Sequence, residues 1–252
     1  MGRSTDITLY TAATPNGIKV TILLAELDLE YELRDVKLTA NEQKEPWFLA
    51  INPNGRIPAI TDKRPDGSLQ RVFETGAIMQ YLVDKYDTEY KLSYPRDTPE
   101  YWEMTSWLMW QMGGLGPMRG QANHFKRYAP ETIEYGINRY VNESRRLYRV
   151  MDDHLAASPS GYLVGDRCTI ADLACWPWVI DAKWGGVDLS EFPSLKKWML
   201  KLLERPGVEK GRHVPSRHGA LDYEKMTEEE LDQKAAASRA WIQSGMKDDA
   251  KK

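Results

Sequence analysis

Cysteine is nearly missing from this chain, with 2 in 252 residues, and that scarcity excludes a disulfide scaffold. Cys168 and Cys175 stand seven positions apart in a stretch that reads as helix. That spacing fits neither a zinc pair nor a CxxC redox motif, so both read as small buried apolar residues. Histidine is sparse too: His124, His154, His213 and His218 show no metal-ligand spacing, and no metal is expected. Charge of one sign is also lacking. The 34 basic and 37 acidic residues nearly cancel, and no basic block interleaves with aromatics, which argues against a nucleic-acid partner. No apolar run is long enough to span a bilayer, and Met1 to Tyr10 lacks the form of a signal peptide; a soluble, cytoplasmic protein without membrane contact is the expectation.

What is present is core material. The chain is 42% hydrophobic, with 9 Trp and 13 Tyr, enough for two domains. Ile7-Thr8-Leu9-Tyr10 reads as a strand, Ala13-Thr14-Pro15-Asn16-Gly17 as a turn, and Ile18 to Leu27 as an apolar helix. Tyr31 to Leu38 reads as a second strand, and Glu45–Ile51 as a short helix ahead of the turn cluster Asn52-Pro53-Asn54-Gly55. Ala59–Thr61 and Leu69–Phe73, joined through Arg64-Pro65-Asp66-Gly67, predict a hairpin. Ala77, Ile78, Tyr81 and Leu82 then mark a helix face. This βαβαββα order predicts a mixed sheet covered by helices.

Beyond Asp87 strand signals stop. The rest reads as helical, interrupted at Gly113-Gly114-Leu115-Gly116-Pro117. Tyr140, Ser144, Leu147, Tyr148, Met151 and Leu155 keep helical spacing, as do Leu195, Trp198, Met199, Leu202 and Leu203, and both stripes read as core. The expected divisions are a first domain over 1–88, a linker over 89–97, an all-helical domain over 98–218 and a polar extension over 219–252. Thr227 and Glu230 form a capping box, so the extension reads either as one more helix or as a frayed tail.

Several segments together resemble the glutathione transferase family over residues 6 to 210. Glu74-Thr75-Gly76-Ala77-Ile78, Ile57-Pro58 and Gly165-Asp166-Arg167-Cys168-Thr169-Ile170-Ala171-Asp172 are similar to its glutathione-anchoring, cis-proline and helix-starting elements. Within the family, Thr14-Pro15-Asn16-Gly17, Asn52 to Pro58 and Trp110 to Met118 resemble the nu class of bacterial disulfide-bond reductases and fungal transferases related to the yeast nitrogen-catabolite regulator. The resemblance implies a thioredoxin-like amino-terminal domain followed by an all-helical carboxy-terminal domain, glutathione as cosubstrate, and a homodimer. The activity it implies is reduction of disulfides or peroxides by bound glutathione, with weak conjugation. A glutathione-binding regulatory protein with little catalysis is the alternative.

The site residues follow from the same resemblance. Thr75, at a helix start, would bind the γ-glutamyl carboxylate with the helix dipole, and Glu74 the ammonium; a plain helix cap beside a solvated acid is the other reading. A cis Ile57–Pro58 bond would free the Ile57 backbone for the cysteinyl unit, whereas an ordinary trans edge proline would not. Gln43 resembles the residue that reaches the glycyl carboxylate. Arg139 resembles a glutathione contact or is a surface arginine. A free thiol titrates near ~8.5, and lowering it by about two units takes roughly 2.7 kcal/mol. Asn16 and Thr14, at the opening of a helix with Pro15 suited to its first position, are assigned as thiolate donors, Asn16 foremost. Trp110, Met112, Met118, Gln121 and His124 would face the electrophile pocket or pack between domains. Thr169 and Asp172 read as a structural cap.

Overall fold

The computed structural model describes residues 2–249. Its amino-terminal part runs β1 (Ile7–Thr11), α1 (Pro15–Glu26), β2 (Glu32–Asp35), α2 (Pro46–Leu49), β3 (Ala59–Lys63), β4 (Leu69–Phe73) and α3 (Thr75–Tyr86). The sheet order is β2-β1-β3-β4, with β1 parallel to β2 and antiparallel to β3, and β3 antiparallel to β4. This is the βαβαββα order of a thioredoxin-like unit. The β3–β4 hairpin pairs Ala59 with Phe73 and Lys63 with Leu69, as its turn chemistry predicts. Strand β2 and helix α2 are shorter than their sequence spans. Asp62 on β3 accepts from Tyr81 Oη (2.8 Å), Tyr86 Oη (2.7 Å) and Lys85 Nζ (2.6 Å), which pins α3 to the sheet and sets where its first residues sit.

The rest is helical: α4 (Pro99–Trp110), α5 (Gly116–Asn123), α6 (Glu134–Ala157), α7 (Ile170–Cys175), α8 (Pro193–Leu203), α9 (Pro206–Gly211) and α10 (Glu228–Asp249). The glycine-rich run does not interrupt the helix, contrary to the sequence reading. Gln111–Leu115 continues α4 into α5 as a π turn, and His124–Tyr128 forms a second one after α5. The wider turn lies just ahead of Pro117, whose ring in a regular α ladder would crowd the carbonyl four residues back. Both core stripes are in place: Leu147, Tyr148, Met151 and Leu155 of α6 and Leu195, Trp198, Met199 and Leu202 of α8 are buried.

Thr169 and Asp172 complete a reciprocal capping box at α7. Asp172 also accepts from Trp198 Nε1 at 2.8 Å and the Leu163 amide at 3.0 Å, so a single carboxylate satisfies four buried or capping donors and ties α7 to α8. The two parts share one apolar cluster, which runs from Ile7 and Ile22 to Trp176 and Val208. Helix α9 lies against α1. A methyl group on Gly211 would stand 2.4 Å from Ile22 Cα, so only glycine permits that approach. Thr21 Oγ1 donates to the Gly211 carbonyl at 2.7 Å, and Arg205 pairs with Glu26 at 2.5 Å.

Within the polar extension Glu228–Asp249 forms a helix, and residues 250–252 lie outside the described residues. Thr227 Oγ1 accepts from the Glu230 amide and Glu230 Oε2 from the Thr227 amide, which starts α10 as the capping box predicts. The helix then docks: Leu231 and Ala235 are fully buried against Trp184. Arg127 Nη1 reaches Asp232 at 2.7 Å, Arg239 Nε donates to the Arg127 carbonyl at 3.0 Å, and Gln243 Nε2 to the Tyr128 carbonyl at 2.9 Å.

Candidate functional site

Two cavities flank the first turn of α1. One is a cleft of about 240 Å³ lined by Asn16, Asn52, Asn54, Arg56, Ile57, Pro58, Glu74, Thr75 and Met112. The other, of about 530 Å³, is bordered by Ala13, Thr14, Pro15 and Leu38 on one side, and on the other by residues of the helical part, among them Tyr128, Asp181, Trp184, His218 and Trp241. Asn16 faces the first and Thr14 the second, two positions apart on the same turn.

That turn is shaped by capping and by crowding. Thr14 Oγ1 accepts from the Gly17 amide at 3.1 Å, and Pro15 takes the first helical position. A methyl group at Gly17 would lie 2.0 Å from the Ala12 carbonyl oxygen, so the residue after Asn16 must be glycine for the chain to turn this tightly. Asn16 Oδ1 accepts from Trp178 Nε1 at 3.3 Å. Because an indole nitrogen only donates, this bond fixes which way the amide faces and leaves the Asn16 Nδ2 protons to a ligand. The Thr14 hydroxyl, used as an acceptor by its cap, likewise keeps its own proton for donation.

The Ile57–Pro58 peptide is cis. Glu74 precedes α3 with φ 70° and ψ 124°, and its side chain makes no capping bond. A non-glycine residue in that region costs about 1–3 kcal/mol, and the carboxylate it places beside the cleft is not consumed by the helix. Thr75, buried at the first position of α3, accepts from Lys19 Nζ at 3.1 Å and donates to Met112 Sδ at 3.1 Å. The dipole of α3 points its positive end at the cleft. Asn16, Ile57, Pro58, Glu74 and Thr75 are thus brought together as the sequence predicts.

The remaining predicted residues lie elsewhere. Gln43 is 5% exposed, donates to Asn41 Oδ1 at 3.4 Å and has a buried, unpartnered Oε1, but it does not line the cleft. Arg139 is exposed on α6. Of the five residues assigned to the electrophile pocket, Met112 lines the cleft and none lines the cavity beside Thr14. Trp110 packs edge-on to Trp107, Met118 packs against the shared apolar cluster, Gln121 is exposed, and His124 meets Phe125. The π turn, whose hydrogen bonds run i→i+5 in place of the α-helical i→i+4, rotates this face relative to an α-helical reading. Tyr10 packs on Trp47 and Phe48. Cys168 and Cys175 are free and buried, and burial pushes both thiol pKa values up.

Sequence reasoning missed Lys19, Asn52, Asn54 and Arg56 beside the cleft, and almost the whole wall of the larger cavity. In that wall burial lowers the His218 pKa to about 4, so its imidazole is neutral. Asp181 is held by Arg119 at 3.1 Å and by Asn123 at 3.3 Å. Among the described residues no cluster of His, Cys, Asp or Glu could hold a metal, and no helix is long and apolar enough to cross a membrane.

Residues 5–84 match the model for the glutathione S-transferase amino-terminal domain, and residues 128–210 that for its carboxy-terminal domain. The disulfide-bond oxidoreductase YfcG of Escherichia coli is 46% identical over 204 residues, covering 80% of this chain and 92% of that protein. A glutathione transferase homologue from Lodderomyces elongisporus, solved with two glutathione molecules per subunit, superposes with a TM-score of 0.79 at 47% identity, covering 83% of this chain and 99% of that one. A glutathione transferase from Pseudomonas putida, solved with one glutathione disulfide per subunit, gives a TM-score of 0.77 at 37% identity, covering 84% of this chain and 93% of that one.

Proposed function

Because the chain belongs to the glutathione S-transferase family, we propose that it binds glutathione in the smaller cleft and uses the tripeptide's thiolate, held at the opening of α1, to reduce disulfides. In this reading Glu74 receives the γ-glutamyl ammonium, and Thr75 with the amino terminus of α3 receives the carboxylate. Ile57 next to Pro58 pairs with the cysteinyl backbone. Asn16 Nδ2 and the Thr14 hydroxyl donate to the sulfur, which favours its ionised form. The thiolate attacks one sulfur of a bound disulfide; a new S–S bond forms, the old one breaks, and the departing thiolate takes a proton from water. A second glutathione, or a glutathione thiol from solution, resolves the mixed disulfide.

The observation that carries this reading is that Asn16 and Thr14, on one turn, face different cavities. A sulfur between them can touch a partner in the larger space while its own peptide fills the smaller. Relatives that hold two glutathiones or one glutathione disulfide per subunit support a site for two thiol halves. The buried cysteines offer no competing protein thiol. A homodimer accords with the exposed Trp102 and Met109, two turns apart on α4.

A coupled assay with glutathione, hydroxyethyl disulfide and glutathione reductase tests the proposal. We expect turnover above buffer that Asn16→Ala largely removes. No turnover by the intact protein, or unchanged turnover in Asn16→Ala, rejects it. Cumene hydroperoxide in place of the disulfide reads out whether the same thiolate also reduces peroxides.

A further inference from the structure

Lys19 follows Asn16 by one turn on α1 and is 1% exposed. Its Nζ donates to Thr75 Oγ1 at 3.1 Å and to Gln111 Oε1 at 2.7 Å, and stands 6.0 Å from the centroid of the Trp178 ring. Three elements converge on this nitrogen: α1, the first residue of α3, and the π turn of the helical part. Trp178 in turn orients Asn16. The ammonium is therefore linked to both proposed grips on glutathione, the carboxylate anchor and the thiolate donor.

A methionine of similar length would fill this space without removing a charge from water, and such replacements are often neutral or stabilising. Burial lowers the Lys19 pKa to about 7. The ionisable groups facing it are Cys175 on α7, whose buried thiol stays protonated and neutral, and Glu74 ahead of α3, whose carboxylate favours the charged form. A cation kept under that penalty points to work that an apolar residue cannot do.

We propose that Lys19 is a positioning residue for the glutathione site, one that turns Thr75 into a donor and ties ligand affinity to the docking of the helical part through Gln111. The inference rests on the glutathione reading above. By occupying the acceptor side of the Thr75 hydroxyl, Lys19 leaves its proton to point outward. That proton meets Met112 Sδ, a weak acceptor that a carboxylate displaces easily. The same ammonium adds attraction for the incoming anion inside a low-dielectric wall.

S-methylglutathione carries the γ-glutamyl carboxylate but has no thiol to titrate, so its calorimetric binding between pH 6 and 8.5 isolates the effect. As pH rises, Lys19 loses its proton, and wild-type affinity is expected to fall at least threefold over this range. Lys19→Met should bind at least tenfold more weakly at pH 6, with little further change to pH 8.5. Wild type that takes up no S-methylglutathione at pH 6 overturns the glutathione reading, and this inference with it. Wild type that binds with constant affinity across the range, or a folded Lys19→Met that binds as tightly as wild type, overturns the role of Lys19 alone. Because the pH series uses the unaltered protein, the test stands even if the variant does not fold.

Discussion

The two cavities beside α1 are built by opposite strategies. The smaller cleft draws on short segments of the sheet-containing part: the α1 turn, the Asn52–Pro58 loop and the start of α3, with Met112 alone contributed from the helical part. Its walls are amides, carboxylate and backbone at fixed strand ends. The larger cavity is closed by side chains separated by more than a hundred residues, including Tyr128, Trp184, His218 and Trp241. Its outer wall is α10, which begins beyond residue 210, where the match to the carboxy-terminal family model ends. A polar cleft thus lies beside a pocket whose rim is built by a helix beyond the family-matched residues. In the function proposed above, the glutathione peptide takes the cleft and the group it reacts with takes the larger cavity.

That division can be broken first at the junction. Asn16→Ala should reduce kcat on the order of 100-fold for every disulfide, equivalent to the roughly 2.7 kcal/mol needed to shift a thiol pKa by two units; a loss for bulky disulfides only would place Asn16 in the larger cavity's function instead.

The floor of the smaller cleft gives the next effect. Lys19 holds its proton up to about pH 7 in the fold, against about 10.4 for an unburied lysine. Below pH 7 both states are charged and the fold bears the full penalty of a buried ammonium. Between pH 7 and about 10 the unfolded chain binds the extra proton, so this site lets stability rise with pH. Lys19→Met should therefore stabilise the protein more at pH 6 than at pH 9, by on the order of 2 kcal/mol in urea unfolding. An equal effect at both pH values would mean that the amine is not titrating in this window.

Glu74→Gln should raise the KM for glutathione roughly tenfold with kcat little changed, because a charge-assisted contact made in the ground and transition states alike is lost. A fall in kcat alone would assign Glu74 to the chemistry. The smallest change should follow truncation after Ala220, which removes α10. Hydroxyethyl disulfide, too small to need the outer wall, should turn over within about twofold of wild type. Glutathione disulfide, which in the proposed reading fills both cavities, should show a KM several-fold higher as packing on Trp184 is lost. Equal effects on both substrates would remove α10 from substrate choice.

How far the sequence revealed all this depended on the distance between cooperating residues. The β3–β4 hairpin, the Thr169–Asp172 box and the Thr227–Glu230 box each operate within a few positions, so turn and cap chemistry announces them. Glu74, Thr75, Ile57 and Pro58 were legible because their motifs are contiguous. The π turn at Gln111–Leu115 was not, since glycines and a proline read as a break until packing supplies a wider helix. Lys19 was hidden for another reason: within the apolar run from Ile18 to Leu27 nothing local marks what a lone lysine would meet. Only the arrival of Thr75 and Gln111, 56 and 92 residues away, makes it an interior group. The wall of the larger cavity needed six separate stretches to meet, which no local pattern encodes.

Cys168 and Cys175, buried with their thiols held in the protonated state, give the molecule a chemical neutrality suited to the role proposed for it. Thiolate is the species that enters exchange, and burial disfavours it at both sulfurs while covering them from partners. In the proposed role, which brings disulfides to the molecule, these side chains are thereby spared from becoming adducts. Its working state does not drift with the redox balance around it, and alkylating reagents should find these two side chains only after the protein has been unfolded.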